Sequence, residues 1–304
     1  MVLTITLNPC IDKSTAVPEL QPAAKLRCEA LTYEPGGGGI NVSKALKRLG
    51  TASTAIFPAG GHNGNMLCSL LEEEGIIYKR ISTPSETREN WVVLETGTGS
   101  QYRFTFPGLE MPVATTEEII PELGKYKPSF VVISGSLPQG MPATSIAAIA
   151  AWANRQGAKT IIDTSGAALQ ALNNAGAFLL KPNVGELCSL LNIDKLENDE
   201  VPVAARQLIS QNYASHIAVS MGAAGAWLIT ASTAYFCTAP LVKVNSTVGA
   251  GDSMVAGMVY QLLQNASLPN VIRFGVACGS AATMNKGTEL FHREDAARLF
   301  AAMK

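Results

Sequence analysis

The chain has 304 residues, a hydrophobic fraction of 47% and a formal net charge of −1. That apolar share is enough to bury a large globular core. The near-neutral charge gives no electrostatic reason to bind nucleic acid or an anionic membrane, so any basic site must be local.

Val2 to Leu7 reads as a buried strand. It follows Met1 without a basic stretch, so no signal peptide is expected. Asn8, Pro9 and Asp12 come next, at the carboxyl end of the strand, where open α/β sheets face their ligand crevice. Asp12 there could bind sugar hydroxyls or simply cap a turn. Thr15–Val17 and Leu26–Tyr33 look like short strands, the second with one exposed face.

Gly36-Gly37-Gly38-Gly39-Ile40-Asn41 opens a helix whose buried face is Val42, Ala45, Leu46 and Leu49. Consecutive glycines strip side chains from the backbone, so a ligand can reach main-chain N–H groups. A flexible linker would not lead so directly into an amphipathic helix. A strand at Ser53–Pro58 and a helix at Asn63–Glu74 follow. A β stretch comes next: Ile76–Ser82, Asn90–Glu95 and Gln101–Phe106, with Gly97-Thr98-Gly99 as a hairpin turn. Arg88 and Arg103 flank or lie on this hairpin and suit bidentate phosphate binding, or are surface charges.

From Phe130 the βα alternation is regular. Phe130–Ser134 is a strand, Ala143–Arg155 a helix, Thr160–Asp163 a strand with its Asp at the carboxyl edge, and Phe178–Lys181 another strand. Asn183 and Glu186 share a face if the next turn is helical, and could hold a hydrated Mg²⁺ or form a capping arrangement. Ala204–Asn212 is helical, Ile217–Gly222 is a strand and glycine turn, and Gly225–Thr230 and Tyr235–Cys237 turn back along an antiparallel edge. The longest uncharged run, between Arg206 and Lys243, covers these strands and is broken by polar residues, unlike a membrane span.

Asn245-Ser246-Thr247-Val248-Gly249-Ala250-Gly251-Asp252-Ser253 then turns into an apolar, helix-compatible stretch. Free N–H groups and the dipole at a helix N-terminus favour an anion, and Gly249 and Gly251 allow close approach. Asp252 adds a carboxylate able to align or deprotonate a hydroxyl, which with the anion hole is what phosphoryl transfer to an alcohol needs. An ordinary turn with a capping Asp is the bland alternative. Val271–Met284 is a small-residue helix, and Asp295–Met303 is the last one.

The alternation predicts an α/β fold with a mostly parallel, doubly wound sheet flanked by helices. Two β-rich insertions, near 13–34 and 76–107, break the rhythm and would pair into a small β-sheet lid that excludes water. There is no P-loop and no dinucleotide fingerprint after the first strand. His62, His216 and His292 are too dispersed for a triad or zinc site. Cys10, Cys28, Cys68, Cys188, Cys237 and Cys278 make no CxxC pair and read as free thiols of a reducing cytosol.

Three stretches carry a family resemblance: Pro35–Val42 around the glycine run, Lys181-Pro182-Asn183-Val184-Gly185-Glu186, and Ser246–Ser253. Together, in order and spacing along the whole chain, they resemble the PfkB/ribokinase family of sugar kinases. Lys25–Cys28, Ala55–Gly61, Gln101–Phe104, Ile133–Pro138 and Arg273–Ala277 resemble its phosphofructokinases in particular. The resemblance implies a single ribokinase-like catalytic domain over 1–304 and phosphorylation of the fructose 6-phosphate 1-hydroxyl by ATP. It makes Asp252 the proton acceptor and Gly249, Ala250 and Gly251 the anion hole. It assigns Asp12, Gly37, Gly38, Asn41, Arg88, Arg103 and Ser136 to the sugar phosphate. Lys25 and Arg27 would reach a neighbouring subunit's site in a homodimer formed by the lid sheets.

Lys181, Asn183, Ser220, Gly222, Gly225 and Thr247 would line the nucleotide site together with Gly249 and Gly251, and Glu186 would organise Mg²⁺ through water. Ser246, Val248, Ala282, Asn285, Gly287 and Glu289 match a K⁺ site of the family. A second, inhibitory ATP site is also implied. A cytoplasmic enzyme binding neither nucleic acid nor membrane is expected. The alternatives are a tagatose-6-phosphate kinase, a 1-phosphofructokinase, or a non-catalytic sugar-phosphate sensor, against which the intact Asp252 and Glu186 speak. A nicotinamide oxidoreductase is a third class and is not expected.

Overall fold

A computed structural model of the protein describes residues 1–303 apart from Leu109. The N-terminal half contains β1 (Val2–Ile5), β2 (Cys10–Val17), β3 (Thr32–Gly36), α1 (Gly38–Arg48), β4 (Ser53–Ala59), α2 (Gly61–Glu73), β5 (Tyr78–Ser82), β6 (Arg88–Glu95), β7 (Ser100–Thr105) and α3 (Val113–Leu123). The central part contains β8 (Phe130–Ser134), α4 (Ser145–Arg155), β9 (Lys159–Asp163), α5 (Gly166–Gln170), β10 (Ala177–Leu180), α6 (Val184–Leu191) and α7 (Val201–Ser210). The remainder is β11 (Ala214–Ser220), β12 (Ala226–Ile229), β13 (Ala234–Cys237), α8 (Ala250–Leu263), α9 (Leu268–Thr283) and α10 (Arg293–Ala302).

The main sheet has nine strands in the order β13-β12-β11-β10-β9-β8-β1-β4-β5. It is parallel from β11 to β5, with β12 and β13 antiparallel at one edge. Parallel strands buried on both faces carry continuous apolar runs, and β8, Phe-Val-Val-Ile-Ser, is buried at every position. The strand order reverses at β1, which lies between β8 and β4. The crevice beyond the carboxyl ends of strands at such a reversal is where open α/β sheets bind ligands.

Helices cover both faces. One core packs residues of α3, α4, α6 and α7 against the sheet; the other packs α1, α8, α9 and α10. The small-residue reading of α9 holds because α8 lies against it. A methyl group on Gly257 would stand 2.8 Å from Cys278 Sγ, and one on Gly275 would stand 2.7 Å from Met258 Cγ. No helix among the described residues is long and apolar enough to cross a membrane. The uncharged run after Arg206 forms the end of α7 and strands β11, β12 and β13.

A second sheet of four strands, in the order β3-β2-β6-β7, is built from two separate parts of the chain. β2 and β6 run parallel at its centre, and β3 and β7 flank them antiparallel. Two expectations need correction. Tyr78–Ser82 pairs with β4 and closes the edge of the main sheet, so only the part from Arg88 onward enters the small one. Residues 18–31, between β2 and β3, are irregular and mostly exposed, and β3 pairs with β2 through Thr32–Gly36 instead. α3 was not anticipated; Pro121 lies inside it.

Candidate active site

The turn before α8 has a conformation that its glycine permits. Gly249 is the helix N-cap at φ +72°, and a Cβ there would stand 2.6 Å from Leu290 Cδ2. Asp252 falls in the first helical turn. Asn41 Nδ2 donates to Asp252 Oδ2 at 2.9 Å, and Ser134 Oγ donates to Oδ1 at 3.1 Å. These partners come from α1 and the carboxyl end of β8. Burial pushes the Asp252 carboxyl up, and the charge of Asp163 adds to this. The two hydrogen bonds and Lys181 oppose the shift, leaving it at about 6. A carboxylate poised there is suited to accept a hydroxyl proton near neutrality.

The glycine run lies flush across the ends of the central strands. A methyl on Gly38 would stand 2.3 Å from Ser134 Oγ and 2.8 Å from the Gly135 nitrogen. Gly37, at φ +116°, precedes α1, which carries Asn41 to Asp252. Backbone and carboxylate therefore meet at the strand-order reversal.

Beside them, Lys181 Nζ lies 3.1 Å from Asp163 Oδ1. A Cβ on Gly251 would stand 3.7 Å from both Lys181 Nζ and Asp163 Oδ2, which sets the pair at the mouth of α8. Burial lowers the affinity of Lys181 for its proton, but Asp163, Glu186 and Asp252 outweigh it and the net shift is upward. Glu186 completes a capping box: Asn183 N donates to its Oε2 at 2.8 Å, and its own N–H donates to Asn183 Oδ1 at 2.8 Å. Burial raises its carboxyl above the usual range.

Among the described residues no three His, Cys, Asp or Glu side chains gather as metal ligands. The sparse donor set around Glu186 and Asp163 fits Mg²⁺ in the way that ion is commonly held, through one or two carboxylates, water and substrate phosphates. Ser220 bridges to Asn183, and the Met221 N–H donates to Gly225 O at 2.9 Å, so Ser220, Gly222 and Gly225 line the same strand ends.

On the other side, Asp12 accepts from Asn90 Nδ2 at 2.9 Å. Arg88 donates to Asn90 Oδ1 at 2.9 Å and to Asn8 O at 3.3 Å, and Asn8 Nδ2 donates to Ser136 Oγ at 3.2 Å. Arg103 Nη2 donates to Thr247 Oγ1 at 2.9 Å, tying the small sheet to the loop before α8. Lys25 and Arg27 are exposed on the irregular segment after β2, with no hydrogen bond or ion pair joining them to this cluster among the described residues.

Two loops meet behind the turn. Ser246 Oγ donates to Gly287 O at 2.6 Å and accepts from Val248 N at 3.2 Å. Asn285 N donates to Ala282 O at 3.2 Å. These carbonyl-rich turns are compatible with a hard monovalent cation. The Glu289 side chain lies 3.2 Å from His292 Nε2. Sequence reasoning missed Ser134, Asp163 and Asn90 as site residues. The first two stand at carboxyl ends of strands, so the crevice rule could have found them; nothing local distinguishes Asn90.

Residues 1–294 match the model of the pfkB family carbohydrate kinases. The chain is 41% identical over 304 residues to the ATP-dependent 6-phosphofructokinase isozyme 2 of Escherichia coli (strain K12), covering 99% of this chain and 98% of that one. The E. coli phosphofructokinase-2 solved in complex with potassium superposes with a TM-score of 0.95 at 40% identity, covering 99% and 98% of the two chains. Its tetrameric inhibited form superposes at 0.92 and 39% identity, with the same coverage. An Arabidopsis thaliana ribokinase, at 18% identity and a TM-score of 0.76 over 98% of both chains, shares the fold, which is ribokinase-like. The chain belongs to the pfkB family of carbohydrate kinases.

Proposed function

We propose that this pfkB family kinase transfers the terminal phosphoryl group of ATP to the 1-hydroxyl of fructose 6-phosphate, giving fructose 1,6-bisphosphate. One observation carries the reading: a carboxylate in the first turn of α8, gripped by Asn41 and Ser134. Asp252 takes the hydroxyl proton while the backbone of Gly249, Ala250 and Gly251 receives the charge of the transferring group. Asp12, Gly37, Gly38, Asn41 and Ser136 orient the sugar, and Arg88 and Arg103 hold its phosphate. Lys181, Asn183, Ser220, Gly222, Gly225 and Thr247 line the nucleotide. Mg²⁺ supplies charge neutralisation on the nucleotide phosphates when bound, with Glu186 organising it through water. Ser246, Val248, Ala282, Asn285, Gly287 and Glu289 would hold K⁺ beside the anion hole, largely through main-chain oxygens.

The small sheet acts as a lid over the sugar, and the chain from 1 to 304 works as one catalytic domain. The outward face of the lid exposes Tyr33, Tyr102 and Phe104, at 39%, 41% and 47%, which supports a homodimer formed through it. Lys25 and Arg27 then serve the partner's site. The proposed setting is the cytoplasm, where ATP and phosphorylated hexoses are found.

The test is ADP release with Mg-ATP over fructose 6-phosphate, tagatose 6-phosphate and fructose 1-phosphate. The highest kcat/KM is expected for fructose 6-phosphate. A higher value for either of the others reassigns the substrate. Tight binding of both ligands without ADP release would make the protein a sensor.

A further inference from the structure

Two opposite charges flank the sugar side of the crevice without meeting. β2 and β6 run parallel with Cys10 opposite Arg88 and Asp12 opposite Asn90. Side chains two apart on a strand share a face, so all four project together. Arg88 and Asp12 are diagonal neighbours within the reach of a long side chain. An arginine and an aspartate so placed would ordinarily pair, yet Asp12 and Arg88 each bond to Asn90 instead.

Arg88 Nη1 donates to Asn90 Oδ1 at 2.9 Å, and Asn90 Nδ2 donates to Asp12 Oδ1 at 2.9 Å. The amide orientation follows from its neighbours, since a guanidinium only donates and a carboxylate only accepts. Asn90 Nδ2 also reaches Cys10 Sγ at 3.1 Å, and that thiol donates to Asp12 Oδ1 at 3.3 Å. One Asp12 oxygen thus receives both local donors.

We propose that Asn90 is a positioning residue for the sugar phosphate: its amide stands between Arg88 and Asp12, fixing their spacing and keeping each from neutralising the other. The guanidinium then remains available to a phosphate and the carboxylate to a hydroxyl. The inference rests on the assignment of this crevice to a phosphorylated sugar. An amide suits the place because it has one donating and one accepting end. An aspartate there would pair with Arg88 and repel Asp12; an alanine would let the two charges close on each other, so that substrate would first have to part them.

The test is steady-state kinetics of Asn90→Ala, Asp12→Asn and the double variant, with thermal melts. Asn90→Ala is expected to raise KM for fructose 6-phosphate about 10- to 100-fold, the scale of a lost charge-assisted hydrogen bond, with KM for Mg-ATP and the melting temperature unchanged. In the Asp12→Asn background the same substitution is expected to cost less, because a neutral residue 12 cannot capture Arg88. An unchanged sugar KM, equal penalties in both backgrounds, or a rise in both KM values with a lower melting temperature would overturn the proposal. If the wild type releases no ADP with any phosphorylated hexose, the kinase reading fails separately. Calorimetric titration of fructose 6-phosphate then decides: weaker binding by Asn90→Ala supports the role of Asn90, while equal binding, or none by the wild type, overturns it.

Discussion

Asn41 and Asp252 are 211 residues apart in the chain, and Asn41 Nδ2 donates to Asp252 Oδ2 at 2.9 Å. This bond joins the helix opened by the glycine run to the helix opened by the second glycine turn. Each motif is an anion-friendly backbone turn on its own. Together they hold one carboxylate at the N-terminus of α8, between the proposed sugar and nucleotide sides.

Asp252→Asn is expected to lower turnover by about 10²–10⁴, the range for a lost acid–base group, while the fold survives. The amide can still accept from Asn41 through its oxygen and donate to Ser134 Oγ through its nitrogen. ADP release measured beside a thermal melt checks both halves. Turnover at the wild-type level would remove Asp252 from the chemistry.

The same carboxyl makes a pH prediction for stability. Its folded pKa of about 6 lies above the ordinary 3.8, so the folded state favours the protonated form. That contribution is fully present below the unfolded value and is lost as pH rises through about 6. Asp252→Asn does not carry this loss. Its melting temperature should therefore exceed that of the wild type at about pH 8 and converge with it near pH 4. A constant difference across the range would show that burial does not raise this carboxyl.

Asp163→Asn should move the acid limb of the pH–rate profile to lower pH. It removes a negative charge that raises Asp252, and it frees Lys181 to favour the ionised carboxylate. The variant should also lose stability, by about 3 kcal/mol as for other broken buried pairs, because Lys181 has only 7% of its side chain exposed. Denaturant unfolding and a pH–rate profile measure the two effects. An acid limb that stays in place or rises would contradict the charge coupling.

How much of this was legible in the sequence depends on distance along the chain. The glycine run, the turn before Asp252 and the Asn183–Glu186 pair could be read because each is a local pattern whose meaning is a helix N-terminus. The parallel sheet followed from βα alternation. Ser134 and Asp163 were visible only as strand ends, because their roles come from Asp252 of α8 and from Lys181 after β10, which the fold places beside them. Asn90 was invisible, since Asp12 meets it only through the parallel register of β2 and β6, which no local pattern encodes, and Arg88 two residues before it on β6 does not by itself mark it. Tyr78–Ser82 was misassigned for a related reason: short β segments do not state which edge they will join.

The outward face of the small sheet yields the last prediction. Phe104 is 47% exposed on β7, opposite Trp91 of β6, and Tyr102 and Tyr33 lie on the same largely aromatic face, which also carries the Lys13–Glu89 ion pair. A face of this kind left open to water invites a second copy of the chain. Phe104→Asp places a charge among these aromatic side chains without touching the crevice side of the sheet, where Asp12 and Asn90 project. Sedimentation should therefore show the wild type as a dimer or larger and the variant as a monomer, with the thermal stability of each chain little changed. If Lys25 and Arg27 serve the partner's crevice, the monomer should also show a raised KM for fructose 6-phosphate and an unchanged KM for Mg-ATP. A wild type that sediments as a fully active monomer would sink both the interface and the role of the two basic residues.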